Sequence, residues 1–99
     1  MPWAALREMS CTLCGQNFIL RSGEMVHPAD LLCDACIRDL YERLDREGAE
    51  SVEHSLTPRS RYGLGPEMIA AQIVRRVQDL KDMVSTRVEL EEALAHRRR

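Results

Sequence analysis

Cys11-Thr-Leu-Cys14 and Cys33-Asp-Ala-Cys36 are the two stretches that decide the fold of this chain, and eighteen residues separate them. Two thiolates three residues apart can bind the same tetrahedral zinc ion, at about 2.3 Å from each sulfur. Two such pairs complete the coordination shell, and their spacing is typical of paired zinc-binding motifs. The sequence therefore predicts one structural zinc ion per chain, held by all four cysteines.

A pair of disulfides is the alternative for the same cysteines, and it would require an oxidising compartment. The first ten residues, MPWAALREMS, lack the basic and apolar segments of a secretory signal. A redox role for one pair would need a βαβ pattern beside it, and the sequence contains none. We therefore expect a zinc-binding protein of the cytoplasm.

The two halves of the chain carry opposite charge. Residues 1–57 hold five Arg and ten Asp or Glu, whereas residues 58–99 hold nine Lys or Arg and six Asp or Glu. Because contacts to phosphate dominate nucleic-acid affinity and need Lys or Arg, the cysteine-rich half is a poor candidate for binding DNA or RNA. No apolar run approaches the roughly 18 residues of a membrane span, so no membrane partner is expected.

Residues 1–48 are predicted to form a small α+β zinc finger of the treble-clef type, with a knuckle, a β-hairpin and a helix in that order. The knuckle is residues 11–16, where Gly15 follows the second cysteine and permits a positive φ. Weak alternation over residues 17–32 predicts a hairpin that turns at Ser22-Gly23.

Residues 34–47 are predicted to be an amphipathic helix that begins with the second cysteine pair and ends at Gly48. Residues 2–9 are predicted to form either one or two helical turns or a frayed terminus. The finger offers four apolar side chains as candidate contacts for a protein partner: Phe18, Ile19, Met25 and Val26.

A connector rich in Pro and Gly follows over residues 49–65, and residues 66–96, within a C-terminal unit of residues 66–99, predict one long amphipathic helix of about 45 Å. We call its apolar face the aliphatic stripe: Ile69, Ile73, Val77, Leu80, Val84 and Val88. A finger of about 40 residues cannot cover such a stripe, and monomers usually avoid large exposed apolar patches. The stripe therefore predicts a homodimer or docking on another protein, unless residues 1–9 and 49–56 fold over it.

The second half of the chain holds seven candidate nucleic-acid contacts: Arg59, Arg61, Arg75, Arg76, Arg97, Arg98 and Arg99. Clustered on one face, they would suit nucleic acid or an acidic protein. No Ser/His/Asp or Cys/His constellation is present in the sequence. Since a zinc ion with four thiolate ligands also has no open position for substrate, we do not expect an enzyme.

The segment CTLCGQ…LLCDACIRDLYERL, within residues 9–46, resembles the N-terminal zinc-binding domain of the ClpX unfoldase family. The shared features are the CxxCG knuckle, the gap of eighteen residues, the apolar pair before the third cysteine and the Cys-Asp-x-Cys-Ile helix start. The resemblance implies four cysteine zinc ligands in a treble clef that dimerises and recognises adaptors or substrates. The chain has no GxxxxGK[ST] loop, so the resemblance covers a docking module and not unfoldase activity.

A weaker resemblance joins this chain to the DksA/TraR proteins, which combine a CxxCG…CxxC finger with long helices and bind RNA polymerase. Their helices mostly precede the finger, their gap is one residue shorter, and their Ile-Pro after the knuckle is replaced here by Phe18-Ile19. The sequence thus predicts a non-enzymatic zinc-finger adaptor, regulator or inhibitor that docks on another protein. The alternative is a transcription regulator that binds RNA polymerase or DNA through its basic C-terminal helix.

Overall fold

The computed structural model describes residues 5–22 and 27–97, which form a two-stranded antiparallel sheet, a short 3₁₀ helix and four α-helices. The α+β class that the sequence predicted is therefore confirmed. The elements in chain order are β1 (Ala5–Ser10), β2 (Asn17–Ser22), the 3₁₀ helix (Pro28–Asp30), α1 (Asp34–Glu47), α2 (Ala49–Ser55), α3 (Pro66–Met83) and α4 (Arg87–His96).

The two strands flank the first cysteine pair: β1 precedes the knuckle, β2 follows it, and the knuckle is the loop that joins them into a hairpin. The backbone N–H of Cys11 donates to the carbonyl of Gln16 at 2.9 Å, and this bond brings the entering and leaving strands side by side. The helical turns predicted over residues 2–9 are wrong for the described part, because that part is β1. The hairpin predicted over residues 17–32 is wrong in its pairing, because β2 pairs with the preceding β1 and Pro28–Asp30 form the 3₁₀ helix. Its predicted turn falls partly on residues 23–26, which lie outside the described residues.

Helix α1 matches its prediction at both ends. It begins directly after Cys33 and ends at Gly48, whose φ of +88° is a backbone conformation that glycine adopts readily. Its buried face is Ile37, Leu40 and Leu44. The helical spacing of apolar residues therefore identified the core-facing side of this element correctly.

The single helix predicted over residues 66–96 is wrong, because the chain forms two helices with a break at residues 84–86. Val84 and Thr86 have extended backbones, and Thr86 is the N-cap of α4, since its side chain accepts a hydrogen bond from the backbone N–H of Glu89 at 3.1 Å. Helix α3 is thus 18 residues long, or about 27 Å.

The aliphatic stripe is largely buried inside this chain, contrary to the expectation that it would be uncovered. Ile69 and Ile73 are completely buried, Val77 is nearly so, and only Val88 is well exposed, at 67%. Helices α1 and α2 and the 3₁₀ helix all pack against α3. Of the alternative in which residues 1–9 and 49–56 fold over the stripe, the structure supports the second segment, because α2 spans residues 49–55 and packs against α3, where α1 and the 3₁₀ helix also cover the stripe.

One core connects the cysteines with the helices. It joins Cys11 and Cys33 to buried side chains of the 3₁₀ segment and of all four helices, including Ile37, Val52, Ile73 and Leu90. The division into a finger and a separate helical unit is therefore not visible in the packing. Over the described ranges, no helix has both the length and the apolar composition that crossing a membrane requires.

Candidate metal centre

The four cysteine sulfurs meet in one cluster, in which every Sγ lies within 4.8 Å of the others. The Sγ atoms of Cys11 and Cys36 are 3.7 Å apart, and those of Cys14 and Cys33 are 3.6 Å apart. A regular tetrahedron with metal–sulfur bonds of 2.3 Å has edges of about 3.8 Å, whereas a disulfide bond is about 2.05 Å. The cluster therefore has the geometry of a four-thiolate metal site and not of two disulfides.

The first pair is positioned by the tight turn of the knuckle. The N–H of Gly15 donates to the carbonyl of Cys11 at 3.0 Å, and Gly15 has a φ of +80°, which any residue with a Cβ would adopt at a cost. This turn folds Cys14 back over Cys11, so both sulfurs point to the same side.

The second pair is positioned by the start of α1. Cys33 is the N-cap residue, and Cys36 lies in the first turn. The N-terminus of a helix carries partial positive charge and unpaired N–H groups, which favour thiolates over thiols. The backbone N–H of Cys33 also donates to the sulfur of Cys11 at 3.4 Å and so links the two pairs directly.

The thiols have opposed tendencies to ionise. Burial raises the pKa of Cys11, but hydrogen bonds from backbone N–H groups outweigh it and lower this pKa to about 7. Burial raises the pKa of Cys33, and burial together with the neighbouring sulfur of Cys33 raises the pKa of Cys36. A divalent cation removes this conflict, because it stabilises all four thiolates at once.

The donor set fits a zinc ion. Four soft thiolates in tetrahedral arrangement are the usual ligands of structural zinc, and zinc bound this way would hold no water or substrate. The four predicted ligands are therefore brought together as expected, and the site is compatible with the predicted metal.

Thr12 supports the knuckle, and sequence reasoning did not identify it. It is completely buried, its Oγ1 donates to the carbonyl of Pro28 at 2.8 Å, and its N–H donates to the carbonyl of Leu31 at 2.8 Å. Its own carbonyl accepts from the N–H of Arg59 at 3.0 Å. Thr12 thus joins the knuckle to the loop before α1 and to the connector, through partners that no local pattern reveals.

The candidate partner contacts of the finger occupy different environments. Phe18 is half-buried against the core, and the guanidinium of Arg97 lies 5.5 Å from the centre of its ring. Ile19 is 44% exposed on the opposite face of the sheet. Met25 and Val26 lie outside the described residues. Of the described pair, only Ile19 presents a large apolar surface to solvent.

Several of the candidate nucleic-acid contacts take part in the fold. Arg76 Nε binds Asp30 Oδ1 at 2.7 Å, and Arg97 binds Asp34 Oδ1 at 3.3 Å and the carbonyl of Leu32 at 2.5 Å. Arg59 lies over the knuckle, since its guanidinium occupies the space that a Cβ on Gly15 would need. Arg75 is exposed, Arg61 is half-buried, and Arg98 and Arg99 lie outside the described residues.

Comparison of the chain with protein-family models, with curated proteins and with solved structures gives no match in any of the three. The resemblances drawn from the cysteine motifs therefore stay predictions. The geometry of the metal centre and of the surfaces around it is the basis for the functional argument.

Proposed function

We propose that this chain is a non-enzymatic zinc-finger protein that works by docking on another protein, as an adaptor, regulator or inhibitor in the cytoplasm. The observation that carries this proposal is the closed set of four sulfurs within 4.8 Å of one another. A zinc ion bound there would have four protein ligands and no open position, so its role is to fix the shape of a surface.

We also propose that residues 5–47 form a variant of the treble clef. In its support, a knuckle carries the first pair and the N-terminus of a helix carries the second, with strand β2 between them. This arrangement agrees with the ClpX-type docking module that the cysteine motifs resemble. The variation is that the strand partner of β2 precedes the knuckle.

A homodimer remains part of the proposal, but it needs a surface other than the buried stripe. Leu6 and Ile19 are exposed, at 60% and 44%, and the strand register puts them on the same outer face of the sheet. Light scattering of the native protein beside a variant with Leu6→Ser and Ile19→Ser tests this surface. A dimeric mass that these substitutions halve supports the homodimer, and a monomeric native mass contradicts it.

Regulation through RNA polymerase or DNA is the second candidate, and the ion pairs of Arg76 and Arg97 weaken it, because paired guanidinium groups are less available to phosphate. Among the described candidates, Arg59 and Arg75 are exposed and could serve it.

Affinity capture from native cell extract separates the two candidates. We expect the zinc-loaded protein to retain a protein partner after nuclease treatment, and the Cys33→Ser variant to lose it. A docking module should show a shallow dependence on salt, whereas a nucleic-acid binder should lose affinity steeply as salt increases. Capture that nuclease abolishes, or that is unchanged in Cys33→Ser, would contradict the proposal.

A further inference from the structure

A cavity of about 460 Å³ opens directly beside the metal centre, and we call it the metal-side groove. The knuckle, one side of α1 and the end of α2 form its walls. Its apolar lining comes from Leu13, Leu40 and Leu56, and its polar rim includes Gln16, Asp39, Arg43 and Thr57. A cavity of this volume accommodates two or three side chains of a bound peptide.

Two of the four cysteines, Cys14 and Cys36, line this groove; Cys14 is exposed and Cys36 is half-buried. The backbone N–H of Cys33 donates to the sulfur of Cys11, which is not among the residues that line the groove. The thiolates of Cys14 and Cys36 belong to the part of the centre beside the groove, where a donor from outside the chain can reach them.

The remaining charges leave the groove negative. A zinc ion with four thiolates carries a net charge of −2, and Asp39 adds another negative charge at the rim. Arg43 is occupied by the chain itself, because its Nε binds Glu47 at 3.0 Å and its guanidinium lies 4.0 Å from Asp39. Arg59 offsets part of this charge from above Gly15, but it is not among the residues that line the groove.

We propose that the metal-side groove binds an apolar segment of a partner protein that carries an Arg or Lys side chain. The cationic group lies against the sulfurs of Cys14 and Cys36 and donates hydrogen bonds to them, while neighbouring apolar side chains contact Leu13, Leu40 and Leu56. This inference rests on the proposed docking function and specifies the chemistry of its partner.

Cobalt(II) in place of zinc provides a direct readout, because its absorption bands respond to hydrogen bonds made to the thiolate ligands. The probes are three peptides, acetyl-Ala-Ile-Xaa-Ile-Ala-amide, in which Xaa is Arg, norleucine or Glu. We expect the Arg peptide to shift the sulfur-to-cobalt bands and the amide resonances of Leu13, Gln16 and Leu56. Equal binding of the Glu peptide, or unchanged bands at millimolar Arg peptide, would overturn the proposal.

Charge reversal at the rim locates the binding site. Asp39→Arg should weaken binding of the Arg peptide about fivefold, whereas Asp79→Arg, the same change at an exposed position of α3, should leave it unchanged. If both variants weaken binding of the Arg peptide equally, the effect comes from the overall charge of the protein and not from the groove, and the proposal is overturned. If Asp39→Arg captures the partner as well as the native protein does, the groove is excluded as the binding site and the docking function stands. If the native zinc-loaded protein captures no partner, the docking function itself is excluded.

Discussion

At the scale of single residues, Thr12 is the side chain that fixes the metal knuckle to the rest of the molecule. Its hydroxyl and both of its backbone polar groups are hydrogen-bonded to residues 16 or more positions away in the sequence. Since the side chain is completely buried, water cannot replace any of these bonds. The four clustered cysteines alone therefore do not determine where the knuckle lies.

We expect Thr12→Val to destabilise the metal-loaded protein by about 1 kcal/mol, because the change keeps the shape of the side chain but removes a buried hydrogen bond to the carbonyl of Pro28, which then accepts only from the N–H of Leu31. Urea unfolding of the metal-loaded protein measures the free energy of unfolding. Thr57→Val, at an exposed threonine, is the matched control and should change it by less than about 0.5 kcal/mol. Equal effects of the two substitutions would contradict this role for Thr12.

The cysteine thiols make metal affinity depend on pH. The pKa values of Cys33 and Cys36 are raised, so both carry protons at neutral pH, and zinc must displace them. Affinity should therefore rise with pH, by about 100-fold per pH unit from these two protons alone, and continue to rise above pH 9. Competition with a chromophoric chelator between pH 6.5 and 9.5 measures this slope, and an affinity independent of pH would contradict it.

The sequence predicted the cysteine ligands and missed Thr12 for a physical reason. Metal ligands must be of particular residue types, and two ligands three residues apart are visible in the chain itself. The partners of Thr12 are backbone carbonyls and N–H groups, which every residue possesses. Only the folded chain shows which of them are close enough to bind.

At the scale of elements, the break between α3 and α4 depends on the N-cap of α4, in a variant of the capping box. Thr86 Oγ1 accepts from the N–H of Glu89, and Glu89 Oε1 accepts at 3.3 Å from the N–H of Ser85, the residue before the N-cap. The extended residues between the helices turn α4 so that Leu90 and Leu94 are buried. In one continuous helix, Val88 would continue the aliphatic stripe, but here it is exposed.

We expect Thr86→Ala to lower the free energy of unfolding by about 1 kcal/mol, because it removes the N-cap. The loss of stability should be local to α4. Hydrogen exchange should show faster exchange at the amides of Leu90 and Leu94 and little change in α3. Thr86→Ser keeps the acceptor and should restore most of the protection. If Thr86→Ala left α4 protected, or changed it no more than Thr86→Ser, the cap would not hold this element.

The sequence contained the signal for this break, in the Thr86-Arg-Val-Glu89 pattern of a capping box. The apolar periodicity over residues 66–96 outweighed it in the prediction, since residues every three or four positions suggest a single face. Periodicity records which residues are apolar, but it does not say whether one surface or two will cover them. The same limit applies to β1. Residues 2–9 suited helical turns or a frayed terminus as a sequence, but the hydrogen bond that closes the knuckle places Ala5–Ser10 beside β2 as a strand.

At the scale of the whole molecule, α3 is the centre of the core and not a free docking helix. Ile73 is completely buried, and α1, α2 and the 3₁₀ helix cover its face of α3. Ile73→Ala should therefore lower the free energy of unfolding by about 3 kcal/mol, because it removes apolar contacts and leaves a cavity. Thermal or urea unfolding measures this change. Val88→Ala, at the exposed end of the same stripe, should cost less than about 0.5 kcal/mol. If both substitutions lowered the free energy of unfolding by a similarly small amount, the aliphatic stripe would be exposed along its whole length.

Metal removal tests whether the finger and the helices unfold together. Cys11 and Cys33 belong to the same core as Ile69, Ile73 and Leu90, and ion pairs of Arg38 with Glu91 and Arg97 with Asp34 join α4 to α1. Without the metal, the thiols of Cys33 and Cys36, whose pKa values are raised, take protons again, and the knuckle loses its metal link to the start of α1.

We therefore expect chelation of the metal to lower amide protection in α3 together with that of residues 11–16, and re-addition of zinc to restore both. A small chain buries too little apolar surface to keep its core when one side of it is released, so the loss should spread across the whole molecule. Hydrogen exchange before and after chelation makes the comparison residue by residue. Full protection of α3 in the metal-free protein would show two independent units and return the boundary to the connector at residues 49–65.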